Sequence, residues 1–355
     1  MKARASHPTA FLGSARVLAV MSTALWGAAC SDDGIQPVAA PAPLVAGGAP
    51  TGFPAGPLAE TGPVDNVLTE ARAQLGKRLF FERRLSRSGE IACASCHDQR
   101  HAFADPRQFS IGVDGRSGSR NAQSLTNLAW GVSFFWDGRA RSLEEQAGMP
   151  IEDPLEMDLS LTTATERLRN DGRYVREFQS AYDSEPSEDT LRKALASFVR
   201  TLVSGSTPYD EYLRGDSSAL DDAALRGEAL FFGKAGCFHC HPPGALTNEG
   251  FFNNGTYVEG GDVGRQKITG RTGDLARFKV PGLRNVAVTA PYMHDGSLDT
   301  LEDVVDHYDR GGRGHSSTDQ QIEPLGLSDD EKQELVAFMR ALTDTQFLED
   351  TRFQP

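Results

Sequence analysis

Cys93-Ala94-Ser95-Cys96-His97 and Cys237-Phe238-His239-Cys240-His241 are two copies of one pattern, Cys-x-x-Cys-His. No other feature of the chain constrains it as much. Cysteines at this spacing form thioether bonds to the edge of a porphyrin, and the histidine that follows becomes an axial ligand of its iron. A single copy could equally be half of a zinc site. Two copies, far apart and each with its own histidine, specify two covalently bound haem c groups. Porphyrins would supply apolar surface that side chains otherwise provide, which suits a hydrophobic fraction of only 39%.

The length of 355 residues suits about two domains. Of the five cysteines only Cys30 lies outside the motifs, so no pair remains for a disulfide framework. Lys2, Arg4 and Arg16 flank the apolar run from Val17 to Ala29, which is too short to span a bilayer. The run ends Gly27-Ala28-Ala29-Cys30, similar to the signal of an exported bacterial lipoprotein, with Gly27 where leucine is usual. An ordinary cleavage site beside a free thiol is the alternative. Both readings place the mature chain in the periplasm; the first also anchors it through a lipid on Cys30. The formal charge is −13, and loss of the three basic residues of the signal takes it to roughly −16. Nucleic acid is therefore not an expected partner, whereas a cationic protein is. A purely solubilising acidic surface is the other reading of this charge.

Four segments are expected: an export signal over 1–29, an Ala/Pro/Gly-rich tether over 30–62, and two haem domains over 63–215 and 216–355. Leu75-Gly76-Lys77-Arg78-Leu79-Phe80-Phe81 precedes the first haem motif and Arg226-Gly227-Glu228-Ala229-Leu230-Phe231-Phe232 the second. Both read as a short helix ending in an aromatic pair, a weak repeat consistent with duplication. Leu191, Leu195, Phe198 and Leu202 recur at helical spacing up to Gly205. Leu335, Phe338, Met339 and Leu342 form another stripe, capped by Ser328 with Glu331 three residues on. Sustained strand alternation is lacking. The fold class is mainly α, two cytochrome c-type haem domains with long loops.

The stretches LGKRLFFERRLSRSGEIACASCH, FFWDGRARSLEEQA and APYMHDGSLDTLEDVVDHY, with the second haem motif, resemble the bacterial di-haem cytochrome c peroxidase/MauG superfamily over about residues 72–343. The resemblance implies that His97 is proximal to the first haem and His241 to the second. Val113 aligns where many of these peroxidases carry a second histidine to the first iron. An apolar side chain cannot ligate, so the first haem is expected to be open, as in MauG-like members. His101 is too near His97 in sequence to reach the opposite face. The resemblance places Gln146, Pro150 and Glu156 in the distal pocket: Glu156 to shuttle a proton during O–O cleavage, Gln146 to orient peroxide, Pro150 to limit what fits. Without the resemblance Glu156 reads as one more solvated acid; Glu144 and Glu145 keep that reading, and His239 and His315 read as exposed. Trp136 aligns with a tryptophan between the haems that can relay an electron. Asp137 and Arg139 read as a structural ion pair or propionate contacts.

The family's second haem usually takes a methionine fourteen residues beyond the histidine of Pro-Tyr-x-His; here that count from His294 reaches Tyr308, as in MauG. The residues point the same way. Thr300 with Asp303 forms a capping box, and Leu301, Val304, Val305 and Tyr308 then share one helix face while His307 points away. Gly311-Gly312 ends this helix. Met293 is the rival ligand. A phenolate favours oxidised iron where methionine raises the potential. The resemblance also implies a calcium ion between the haems, held by Asn121, Thr289 and Pro291. The expected activity is reduction of hydrogen peroxide with electrons from a cytochrome c or other protein donor, in a chain that could be a homodimer. MauG-like oxidation of aromatic residues in a partner protein is the alternative, although Ala235 stands where those proteins carry a surface tryptophan. A non-catalytic di-haem electron carrier is the third reading.

Overall fold

The structure, a computed structural model, describes residues 43–45 and 48–355; the expected export signal and Cys30 lie outside them. The described helices are α1 (Glu70–Phe80), α2 (Leu143–Glu152), α3 (Leu161–Arg169), α4 (Gly172–Tyr182), α5 (Glu188–Arg200), α6 (Pro208–Leu213), α7 (Asp222–Phe232), α8 (Gln266–Thr269), α9 (Leu301–Asp309), α10 (Asp329–Arg340) and α11 (Thr345–Glu349). Short 3-10 turns and long loops join them. Strands β1 (Phe251–Phe252) and β2 (Phe278–Lys279) pair antiparallel, Phe251 opposite Lys279. The mainly α expectation holds. Helix starts are fixed locally: Thr69, Ser142, Ser160, Ser187, Thr207, Thr300 and Ser328 each accept a first-turn backbone N–H. The capping boxes at Thr300–Asp303 and Ser328–Glu331 both form.

The repeat read before the haem motifs runs through both halves. Helix α1 crosses α5 at Gly76, and α7 crosses α10 at Gly227. A Cβ on Gly76 would lie 1.9 Å from the Ala194 carbonyl oxygen, and one on Gly227 1.9 Å from that of Glu334. Both obstacles are backbone, so no side-chain adjustment makes room, and glycine is what lets each helix pair touch. Beside each crossing the same aromatic set recurs. Phe80 lies 5.1 Å from Phe198 and 6.4 Å from His97; Phe231 lies 5.2 Å from Phe338 and 6.5 Å from His241. Each haem motif is thereby braced against its own helix pair.

Among the described residues two large apolar cores result, and a small third cluster gathers Tyr257, Ala276 and Phe278. One large core gathers Leu75, Leu79, Phe80, Leu195 and Phe198, the other Phe231, Leu301, Val305, Leu335 and Phe338. The chain end returns to the first core, where Phe347 and Phe353 meet Phe103 edge-on. The described part of the expected tether is not a tether. Leu44 and Leu58 are buried in the first core, and the Phe53 ring lies 4.6 Å from Trp130. Its few large apolar residues find a core despite their Pro/Gly-rich surroundings, which overall composition does not reveal. At the junction of the halves, Asp210 of α6 and Arg284 form a bidentate ion pair at 2.6 and 2.7 Å, and Arg284 also donates to the Gly244 carbonyl.

Candidate active site

Each haem motif folds as a single 3-10 turn closed by its own backbone, with the His97 N–H on the Cys93 carbonyl and the His241 N–H on that of Cys237. Past each turn the chain doubles back, and a carbonyl meets the imidazole: Phe103 O lies 2.6 Å from His97 Nδ1, Leu246 O 2.7 Å from His241 Nδ1. A carbonyl only accepts, so Nδ1 carries the proton and Nε2 is the nitrogen available to a metal. Burial pushes both imidazoles down, His241 to about 4, and keeps them neutral as ligands must be. Burial likewise pushes the Cys93 and Cys237 thiols up to about 12. Such thiols are not poised as redox thiolates, which argues against a thioredoxin-like use of Cys-x-x-Cys. Cys96, His97, Cys237, Cys240 and His241 all line one cavity of about 910 Å³. Two thiols, a neutral imidazole and an apolar wall in each half are what a covalently held haem requires, and the residues present fit it twice.

Facing the first socket, the Ser142-capped α2 carries Gln146 and Pro150, and the turn beyond it carries Glu156; all three line the cavity. Glu156 is pushed up to about 7, chiefly by burial and further by the nearby Asp153 carboxylate, with Arg139 opposing. The turn is pinned by the loop that holds Val113. Val113 is buried, its N–H donates to the Glu156 carbonyl at 2.8 Å, and Gly112 leaves no room for a Cβ against Leu155 and Glu156.

The two halves repeat here as well. Bridges Phe134–Ala140 and Tyr292–Leu298 close equivalent hairpins, each with Asp-Gly at its turn. Phe135 and Met293 hold the same left-handed backbone, φ 66° and 73°, as do Gly138 and Gly296. A capped helix follows each hairpin. Pro150 stands as far from its cap Ser142 as Tyr308 stands from Thr300, and Trp136 is the counterpart of His294. The position that presents a phenol in the second half therefore presents proline, with nothing to donate to iron, in the first.

Around the second socket, Tyr308 and Met293 converge on one amide. Asn254 Nδ2 lies 3.3 Å from Tyr308 Oη and 3.1 Å from Met293 Sδ. Burial pushes the Tyr308 phenol up to about 12, and the Asn254 hydrogen bond acts against it. His307 lies off the face that carries Tyr308, yet its own side of the helix is not solvent-exposed. It is buried, and its Nε2 donates to the Asn254 carbonyl at 2.8 Å. The loop carrying Asn254 covers that side of α9, so the helix has two buried faces.

Trp136 also lines the cavity, and its Nε1–H donates to the Asn121 carbonyl at 2.8 Å. Asp137 pairs with Arg139, as expected, and also with Arg120, which reaches on to Asp262. Asn121, Thr289 and Pro291 line the same cavity. The Asn121 amide donates to the Arg107 and Gln108 carbonyls, which turns its Oδ1 elsewhere. Among the described residues no group of three or more His, Cys, Asp or Glu side chains could hold a metal ion.

Two further expectations are corrected. Glu144 is not solvated: it binds the buried Arg200 at 2.7 Å and accepts from Asn66. His315 is half-buried, its Nδ1 2.8 Å from Ser317 Oγ. Glu145 and His239 are exposed, as read. Asn254 was missed altogether; an Asn-Asn-Gly after two phenylalanines signals only a turn.

Fold and sockets together define a protein built to carry two haem c groups, one in each of two repeated halves. Comparison with known proteins agrees. Residues 70–218 match the family model described as di-haem cytochrome c peroxidase. The chain is 43% identical over 284 residues to methylamine utilization protein MauG of Methylorubrum extorquens, spanning 79% of this chain and 80% of that protein. It is 36% identical over 279 residues to cytochrome c551 peroxidase of Nitrosomonas europaea, spanning 77% and 80%. The crystal structure of a MauG-like protein associated with microbial copper homeostasis superposes with a TM-score of 0.79 at 37% identity, over 82% of this chain and 95% of that one. The chain belongs to the di-haem cytochrome c peroxidase family. It is a peroxidase-type oxidoreductase with two haem c groups.

Proposed function

We propose that hydrogen peroxide is reduced to water in the first half, in the part of the cavity lined by Gln146, Pro150 and Glu156, with electrons from a small cytochrome c entering through the second half. When bound, the two haems supply the redox-active iron for both electron entry and peroxide reduction. The protein's part is to position peroxide and move its proton. The observation that carries this reading is Glu156, a carboxyl raised to about 7 that lines the cavity with Gln146 and Pro150. A carboxyl in that range can take a proton from one peroxide oxygen and return it to the other near neutral pH. Gln146 offers an uncharged amide to orient the substrate. Pro150 leaves this side of the first socket without a protein ligand, whereas Tyr308, at the equivalent place, caps the second. Trp136, fixed by its bond to Asn121, is the side chain through which electrons pass between the halves.

A protein-oxidising role is the weaker reading, because Ala235, at the position of the expected tryptophan, is buried. Calcium belongs to the proposal as a structural ion, bound by Asn121 Oδ1, the Thr289 and Pro291 carbonyls and water. So does a periplasmic location with a lipid on Cys30. The acidic chain suits a basic cytochrome donor.

Stopped-flow mixing of the holoprotein with peroxide and reduced cytochrome c tests the activity and the donor together. Oxidation of two cytochromes per peroxide, dependent on the enzyme, is expected. Peroxide consumption without cytochrome oxidation would exclude this donor, and no consumption would exclude the activity.

A further inference from the structure

We propose that Asn254 is a positioning residue for the second haem: its amide N–H holds Tyr308 as the oxygen ligand in preference to Met293, and draws charge from that oxygen. This rests on the reading of Tyr308 as that haem's axial ligand.

The orientation of the amide is fixed by its neighbours. Asn254 Oδ1 accepts from Thr256 N at 3.3 Å and from Thr256 Oγ1 at 2.8 Å. A backbone N–H only donates, so the oxygen must face Thr256 and the NH₂ must face the other way. There it meets the two rival ligands: Tyr308 Oη at 3.3 Å and Met293 Sδ at 3.1 Å. The peptide is held from two sides. His307, next to Tyr308 on α9, donates to the Asn254 carbonyl, and the preceding Asn253 is clamped by Asp319 and Ser317. The donor and the phenol it serves are thus tied to the same turn of helix.

The two acceptors are unequal. A thioether sulfur is a weak acceptor, whereas an oxygen that carries negative charge accepts strongly. An amide NH₂ that reaches both therefore gains more from the arrangement in which Tyr308 carries the charge as ligand and Met293 stays aside. A hydrogen bond to a ligand atom also withdraws electron density from it, one of the ways a protein adjusts a metal's potential. The left-handed backbone of Met293 does not argue for its ligation, because Phe135 has it at the equivalent hairpin position.

The test is spectroelectrochemical titration of the holoprotein with Asn254→Leu, which removes the donor at similar size. A second variant, Asn254→Asp, keeps the acceptor for Thr256 and replaces the donor by an oxygen. Haem content and the spectrum of the first haem report on folding. In both variants the second haem's potential should fall, by about tenfold in its reduced-to-oxidised equilibrium, or about 59 mV for one electron. In a Tyr308→Met background the Asn254→Leu shift should vanish, since the thioether holds no charge for the amide to withdraw. An unchanged potential in both Asn254 variants with full haem content would overturn the proposal, as would an equal shift in the Tyr308→Met background. If Tyr308→Met alone changes neither spectrum nor potential, the ligand reading fails and takes this proposal with it. A Tyr308→Met shift without an Asn254 shift removes Asn254 alone.

Discussion

Glu156→Gln is expected to slow peroxide consumption by about 10²–10⁴-fold, the usual worth of a general acid–base group, with both haems still attached. Glutamine keeps the size and place of the side chain but cannot carry a proton. Burial and Asp153 raise the wild-type carboxyl to about 7. The group must first accept a proton, so its active form is the carboxylate. The wild-type rate should rise with pH through about 7 and fall below it, and Glu156→Gln should lose that step. A pH–rate profile of peroxide consumption for both proteins checks this. An unchanged rate in the variant would remove Glu156 from the chemistry. A large loss with the same pH step would assign the ionisation to another group.

Asp210→Ala has the largest expected effect on stability. Asp210 and Arg284 are almost wholly buried, with side-chain exposures of 0% and 3%, and meet through two hydrogen bonds. Burial alone would raise the Asp210 carboxyl, but the Arg284 guanidinium overcomes it and holds the group below the usual aspartate range. Removing one partner leaves the other charge buried and unpaired, which costs about 3–5 kcal/mol. Replacing both together, as Asp210→Leu with Arg284→Met, should restore much of the loss. Denaturant unfolding of the holoprotein measures both. The pH dependence follows from the sign of the shift. A depressed carboxyl contributes its stability above the ordinary value of 3.8 and loses it as pH falls through the lower folded value. At neutral pH the effect of Asp210→Ala should therefore be full, and it should shrink only in strong acid.

What could be read from the sequence was local. Cys-x-x-Cys-His, the caps at Thr300 and Ser328, and the glycines that precede each aromatic pair act within a few residues of themselves. The contrast of Pro150 with Tyr308 was not read from the sequence; it emerges from the equivalent hairpins and capped helices of the two halves. The interactions that escaped notice join distant segments. Glu144 meets Arg200 and Asn66 from two other elements, so its identity as an acid said only that it should be solvated. His307 lies off the apolar face of α9, and only the loop ending in Asn254 makes its side of the helix an interior. Leu44 and Leu58 sit in sequence typical of linkers, yet they complete the first core. In each case the partner is chosen by tertiary packing, which neither periodicity nor composition encodes.

The proposed function requires the halves to differ: a proline-faced first socket open to substrate, and a second closed by Tyr308. Electron paramagnetic resonance of the resting ferric holoprotein examines that difference directly. One high-spin haem, perturbed by small exogenous ligands, beside one low-spin haem is the predicted result. Two low-spin haems, in the resting protein and again after one-electron reduction, would contradict it and leave a protein that only conducts electrons.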